Sequence, residues 1–169
     1  MKYLLVLALA AGALSAQSPR RAPGFSLPDG KLVQHDLLDS RGKVVLIDII
    51  RTDCPNCMAL SRDLVKVKAK YGDKVEILSI VTPPDNLTTV NGFISQEKVT
   101  WPVLFDCGQV AASYTEIKPD NPNLALPQLF IVDQAGMIKL RVKGDGNPAD
   151  LGASFWEPTV DALLKSAKK

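Results

Sequence analysis

The segment KVVLIDII, residues 43–50, is an apolar run rich in Val and Ile, with one acid, Asp48, inside it. Continuous hydrophobicity of this kind, rather than alternation, predicts a strand covered on both faces. From Pro55 to Tyr71 the period changes. Leu60, Leu64, Val67 and Tyr71 recur at helical spacing, and Gly72 follows as a stop. KVEILSIVT (74–82) repeats the buried-strand pattern, and NLTTVNGFISQEK (86–98) reads as a helix. TWPVLFD (100–106) is a further strand, and GQVAASYTE (108–116) continues as a short helix. QLFIVD and MIKLRVKG are two strands joined by the hairpin loop Gln134-Ala135-Gly136. Pro158 opens a last helix through TVDALLKSAKK, since proline is tolerated at the first helical position; Phe155 and Trp156 read as core anchors ahead of it. Upstream, FSLPDGKLVQHDLL gives two short alternating stretches around Pro28-Asp29-Gly30, a hairpin signal. The succession predicts an α/β fold: a central mixed sheet flanked by helices, with an N-terminal β-hairpin.

Composition adds limits rather than detail. A chain of 169 residues is about one domain long and able to bury a sizeable core. The formal net charge of +2, with both signs interspersed, leaves no broad field for nucleic acid. Lys165, Lys168 and Lys169 suit a final helical turn, where cations oppose the negative dipole end. A monomer is expected.

The N-terminus follows a different pattern. Lys2 precedes YLLVLALAAGALSA, an apolar run ending in small residues, which is the layout of a secretory signal peptide. The expectation is a signal peptide over 1–16, with cleavage after Ser15 or Ala16, then a Pro-rich leader over 17–23 and the folded domain over 24–169. Left uncleaved, residues 3–16 would serve as a membrane anchor, although the run is short of the ~20 apolar residues a span needs. Export implies a compartment where thiols do not stay reduced by default.

Two of the three cysteines, Cys54 and Cys57, lie in DIIRTDCPNCMAL, at the junction of a buried strand and a helix. With Pro55 at the first helical position, Cys54 is the N-cap. Free N–H groups and the positive dipole end then favour its thiolate. A thiolate attacks disulfides, and a second thiol within bonding reach resolves the product. Two other readings compete. Zinc uses the same spacing, but its remaining ligands would be the scattered Cys107 and His35. A permanent disulfide over so short a loop stabilises little. Asp48 sits on the strand leading to the pair. An acid in an apolar strand is costly unless paired or held neutral, so it is either a general base for Cys57 or a strand-end acid bonded to backbone.

Further along, Pro127 stands directly before a buried strand. APGFSLPDGKLV, RGKVVLID, the C-P-N-C, LPQLFIVDQAGMI and RVKGD run in order over residues 22–146. In these stretches the chain resembles the thioredoxin superfamily, specifically the exported TlpA/ResA-like thiol–disulfide oxidoreductases with an AhpC/TSA-redoxin-type domain. The resemblance implies a thioredoxin-like fold, a catalytic Cys54–Cys57 pair, and a cis Pro127 lying against it. It also implies that the backbone of Leu126 meets the substrate chain, with Pro55 and Asn56 on the same substrate-facing surface. Asp48 matches the buried acid of ordinary thioredoxins, where TlpA-like members often carry asparagine. By the same analogy the protein reduces disulfides in exported partners, draws electrons from a membrane or periplasmic donor, and needs no cofactor.

Three departures stand out. Asp53 replaces the family's usual tryptophan before the first cysteine, and its charge opposes thiolate formation while Arg51 offsets it. Gln128 stands where threonine usually follows the proline. TEIKPDNPNLAL, longer than the usual connection, is assigned to partner choice because loops beside a site often set it. Cys107 reads as a buried inert thiol, with a third redox thiol as its alternative. Other activities fit less well. The peroxidase pattern P-x-x-x-[TS]-x-x-C is absent around both cysteines of the pair. A copper chaperone on this fold would use C-x-x-x-C and a late histidine, whereas His35 is early, although soft thiolates can hold Cu(I).

Overall fold

A computed structural model describes residues 20–115, 117 and 123–166. Its elements are β1 (Ser26–Pro28), β2 (Gln34–Asp36), β3 (Val44–Ile50), α1 (Pro55–Tyr71), β4 (Val75–Val81), α2 (Leu87–Glu97), β5 (Val103–Phe105), α3 (Gln109–Thr115), β6 (Gln128–Val132), β7 (Ile138–Lys143) and α4 (Ala153–Ser166). The run that predicted a doubly covered strand is β3, every residue of which is buried. It lies at the centre of a five-stranded sheet ordered β5-β4-β3-β6-β7. β4 and β5 are parallel to their inner neighbours, through crossovers containing α1 and α2; β6 and β7 run antiparallel. The predicted mixed sheet and N-terminal hairpin are both present.

Alternation along β3 divides the core. Val44, Leu46 and Ile50 face a cluster that takes Leu60 and Leu64 from α1, Phe93 from α2 and Trp156 and Val160 from α4. Val45, Ile47 and Ile49 face the other side, where Ala111 and Tyr114 of α3 join Ala22, Phe25 and Leu37. Each large apolar side chain so removed from water contributes about 1.5–3 kcal/mol, which is what holds two layers of helix on a central sheet. Asp48 shares its face with Leu46 and Ile50, so β3 delivers a carboxyl to the side that α1 covers.

Four readings of the sequence change. α4 begins at Ala153, and Pro158 lies inside it rather than at its start. The Asp63 carboxylate accepts from the Ala153 N–H at 3.2 Å, and the fully buried Trp156 donates its indole N–H to the Leu151 carbonyl at 3.1 Å. Those contacts begin the helix upstream, and burial of Trp156 and Val160 outweighs the bond that an interior proline forfeits. Phe155 is no core anchor: it is 46% exposed, next to the fully buried Trp156. Cys107, expected to be buried, is exposed just past β5. Finally, residues 20–23 are no loose leader. Arg20 and Ala22 hydrogen-bond with Ile138 and Gly136, and Ala22 is buried in the core. Residues 1–19, including the expected signal segment, lie outside the described residues, as does most of the 116–122 stretch. Among the described residues no helix is long and apolar enough to cross a membrane.

Other local expectations hold among the described residues, outside which Lys168 and Lys169 lie. Gly72 ends α1 with φ of 56°, and its N–H reaches the Lys68 carbonyl. Asn86 caps α2 reciprocally with Thr89. The hairpin turn runs over Asp29–Val33, where the Asp29 carboxylate accepts from the Lys31 and Val33 N–H groups at 2.8 and 3.0 Å. An Asp29–Leu104 bridge lays this hairpin along β5, the sheet edge.

Candidate active site

Cys54 is the N-cap of α1, with extended backbone (φ −92°) and Pro55 following at the first helical position. Its Sγ accepts a hydrogen bond from the Cys57 N–H at 3.3 Å, so one of the helix's unpaired donors is directed at sulfur. Cys54 is half-buried, while Pro55 and Asn56 are exposed beside it. Cys57 has no exposed surface, and both are free thiols. Burial pushes the Cys57 thiol well above its ordinary value, helped by the Cys54 sulfur and by the charge of Asp48. The pair is therefore asymmetric. One sulfur meets solvent at a helix N-terminus and the other waits behind it as a thiol.

Beneath the pair, Asp48 is fully buried in mid-strand. Its Oδ1 accepts from the Ser79 hydroxyl at 2.7 Å, and Ser79 Oγ accepts in turn from the Trp101 indole N–H at 2.8 Å. Its Oδ2 is buried with no hydrogen-bond partner among the described residues. Burial raises the carboxyl from 3.8 to about 7, against the opposing Ser79 hydrogen bond. Of the two sequence readings, the strand-end acid held by backbone is not what is observed. The principal partner is a side chain on the neighbouring strand, where Ser79 stands in register with Asp48.

The approach to Cys54 is anchored twice. The Asp85 carboxylate accepts from the Thr52 N–H at 3.0 Å and also from the Thr52 hydroxyl, and Thr52 itself is buried. Arg51 pairs bidentately with Asp53, Nε to Oδ1 at 2.9 Å and Nη2 to Oδ2 at 2.5 Å. The Arg51 guanidinium holds the Asp53 carboxyl below its ordinary value. Asp53 thus presents a neutralised pair beside Cys54 rather than a lone negative charge.

The Leu126–Pro127 bond is cis, as is Pro83–Pro84, which the sequence reading did not anticipate. Leu126 and Cys54 border the same apolar cluster that holds Cys57. Gly144 backs this segment: a Cβ there would lie 2.3 Å from both the Leu126 carbonyl carbon and its oxygen. Of the predicted site residues, Cys54, Pro55, Asn56 and Cys57 form the α1 N-terminus, Asp48 lies below it, Leu126 borders its cluster, and Pro127 follows Leu126 as a buried residue before β6. Ser79, Asp85 and Gly144 were not foreseen. One signal for Ser79 was present: it is the lone hydroxyl inside VEILSIV (75–81), as Asp48 is the lone acid inside KVVLIDII. The other candidate ligands stand apart. His35 Nε2 contacts Asp29 Oδ2 at 3.1 Å on the hairpin. Among the described residues no three His, Cys, Asp or Glu side chains are grouped as a metal site requires.

A mixed sheet carrying a thiol pair at the N-terminus of its first long helix, with a cis proline directly after a leucine that borders the same cluster, defines a thioredoxin-superfamily thiol–disulfide oxidoreductase. Residues 19–141 match the AhpC/TSA family, and the chain belongs to that family. It is similar to the thiol-disulfide oxidoreductase ResA of Geobacillus kaustophilus, 29% identical over 77% of this chain and 71% of that protein. It is also similar to the thioredoxin-like protein YneN of Bacillus subtilis, 26% identical over 73% and 69%. Among solved structures, one described as a thiol:disulfide interchange protein DsbE from Chlorobium tepidum superposes with a TM-score of 0.71 at 25% identity. That superposition covers 89% of this chain and 99% of the other.

Proposed function

We propose that Cys54 and Cys57 are the redox pair and that the protein uses them to reduce disulfides in exported partner proteins. The Cys54 thiolate attacks one sulfur of a partner disulfide. The partner's S–S bond breaks, a mixed disulfide forms, and the first partner thiolate leaves. Asp48, as carboxylate, takes the proton from Cys57. The Cys57 thiolate then attacks Cys54 Sγ, releasing the second partner thiolate and leaving an intramolecular disulfide. Two electrons have passed to the partner, so a dithiol donor, in or near the membrane, must restore the pair. Pro55, Asn56 and the Leu126–Pro127 backbone form the surface against which the partner chain lies.

One observation carries this reading: a buried Cys57 thiol and a buried, half-partnered carboxyl occupy the same covered face behind a half-exposed Cys54. The reducing direction is supported by the Arg51–Asp53 pair. A strong oxidant needs its thiolate form specially stabilised, and here the Arg51 guanidinium beside the motif is paired bidentately with Asp53. The exported setting rests on the apolar segment of residues 3–16. The test is trapping. Cys57→Ser, left with its attacking thiol but no resolving one, should accumulate mixed disulfides with partner proteins from the same organism, visible on non-reducing gels. Cys54→Ser should accumulate none. Trapping by neither variant would contradict the proposed exchange.

A further inference from the structure

Gln128 is a buried polar side chain that the mechanism above does not use. It opens β6 directly after the Leu126–Pro127 bond and is 2% exposed. It lies on the α3 side of the sheet, the side of Phe130 and Val132. Both ends of its amide are engaged. Nε2 donates to the Ala125 carbonyl at 2.5 Å, and Oε1 accepts from Arg141 Nε at 3.0 Å. Arg141 reaches across from β7, with its guanidinium 5.4 Å from the Phe130 ring centroid, and donates Nη2 to the Thr115 carbonyl at 3.4 Å. Thr115 is the last residue of α3 and Ala125 directly precedes Leu126. Two side chains therefore tie together the two ends of the α3–β6 connection. From the neighbouring strand's end, Gly144 closes against the Leu126 carbonyl.

We propose that Gln128 and Arg141 are a positioning pair that fixes the Ala125–Leu126 backbone in the place where a peptide strand is received. The selected substrate class is disulfides carried on polypeptide rather than small free disulfides. The argument is energetic. A buried amide with donor and acceptor both used resists displacement, because moving either partner leaves a buried polar group unsatisfied. A peptide chain that pairs with exposed main chain gains affinity from main-chain hydrogen bonds, so it is sensitive to small displacements of that backbone. A small disulfide makes no such bonds and needs only the sulfur of Cys54. The proposal rests on reading Leu126–Pro127 as the substrate-facing backbone.

The test uses the full-length reduced protein with two oxidants: cystamine, and a short peptide whose single cysteine is disulfide-linked to glutathione. The readout is the ratio of peptide to cystamine rate, with KM and kcat resolved for the peptide. Gln128→Leu removes both hydrogen bonds. Gln128→Glu keeps the acceptor for Arg141 but removes the donor to Ala125. Both should lower the ratio, through a peptide KM raised about fivefold, the equivalent of one net hydrogen bond of about 1 kcal/mol. If Gln128→Leu fails to fold, Gln128→Glu and Arg141→Lys decide the matter. An unchanged ratio in the folded variants, or peptide and cystamine rates falling together, would overturn the positioning pair while leaving the redox reading intact. A wild-type protein oxidised by neither disulfide would instead overturn the redox reading and this proposal with it.

Discussion

The Ser79 hydroxyl on β4 donates to the Asp48 carboxylate on β3 at 2.7 Å, across strands that pair in register at these two residues. Ser79 receives the Trp101 indole N–H, so its own proton is committed to Asp48. The other carboxylate oxygen is left in the apolar space under α1. A mid-strand acid in that state is costly to the fold and useful as a proton acceptor.

Replacing that acid should therefore change stability and catalysis in opposite directions. The carboxyl's value is raised on folding, from 3.8 to about 7, so the folded protein holds this proton more tightly than the unfolded chain does. Stability then falls as pH rises between those values and stays level above them. Asp48→Asn should remove that decline and stabilise the protein at pH 8 by up to about 4 kcal/mol, at ~1.4 kcal/mol per pH unit. Chemical denaturation at pH 5 and pH 8 checks it. The same variant should slow release of the mixed disulfide at neutral pH by about 100-fold, the lower range for a lost general base.

Ser79→Ala makes a separate prediction. Its hydrogen bond favours the ionised carboxyl, so losing it moves the value above about 7. The rate of mixed-disulfide resolution, which rises with pH as Asp48 ionises, should have its midpoint displaced by about 1–2 units to higher pH, as expected for a charge-assisted bond of about 1.5–3 kcal/mol. Trp101→Phe, which removes only Ser79's donor, should shift it less and in the same direction. A stopped-flow pH profile distinguishes these from a change in maximal rate.

Asp85 holds the turn that enters the motif. Asp85→Ala would leave the buried Thr52 N–H without its acceptor and cost about 1–3 kcal/mol in denaturant unfolding. A loss below about 0.5 kcal/mol, the range of surface substitutions, would contradict the anchoring role.

Gly144→Ala tests the close approach behind the cis peptide. A Cβ at that position meets the Leu126 backbone at 2.3 Å, and backbone cannot swing aside as a flexible side chain does. The expected cost is about 1–3 kcal/mol, as for other overpacked sites. Thermal unfolding measures it, and an unchanged melting temperature would refute the contact.

Much of this architecture was legible because the signals were local. The strand of residues 43–50, the helix from Pro55 and the stop at Gly72 each follow from a run, a period or a cap. The cysteine pair's place at a helix N-terminus follows likewise. What escaped depended on pairing between distant segments. Ser79 and Asp48 lie 31 positions apart, and only the β3–β4 register brings them together. The early start of α4 depends on Asp63, contributed by another helix, which no reading of the α4 segment contains. Cys107 was misjudged for a related reason. Its exposure is set by where β5 ends at the sheet edge, a position that residue-type statistics do not carry. Gln128 was visible as a departure, but its partner Arg141 was not, because the two meet across the β6–β7 ladder.

The reduction potential of the Cys54–Cys57 pair, measured in a dithiothreitol or glutathione redox buffer with mass readout, tests the central claim most directly. A reversible two-electron couple near ~−270 mV is predicted, the range of a thioredoxin that donates electrons. A couple near ~−120 mV would contradict it by making the protein an oxidant, and a pair that never cycles would contradict the exchange itself.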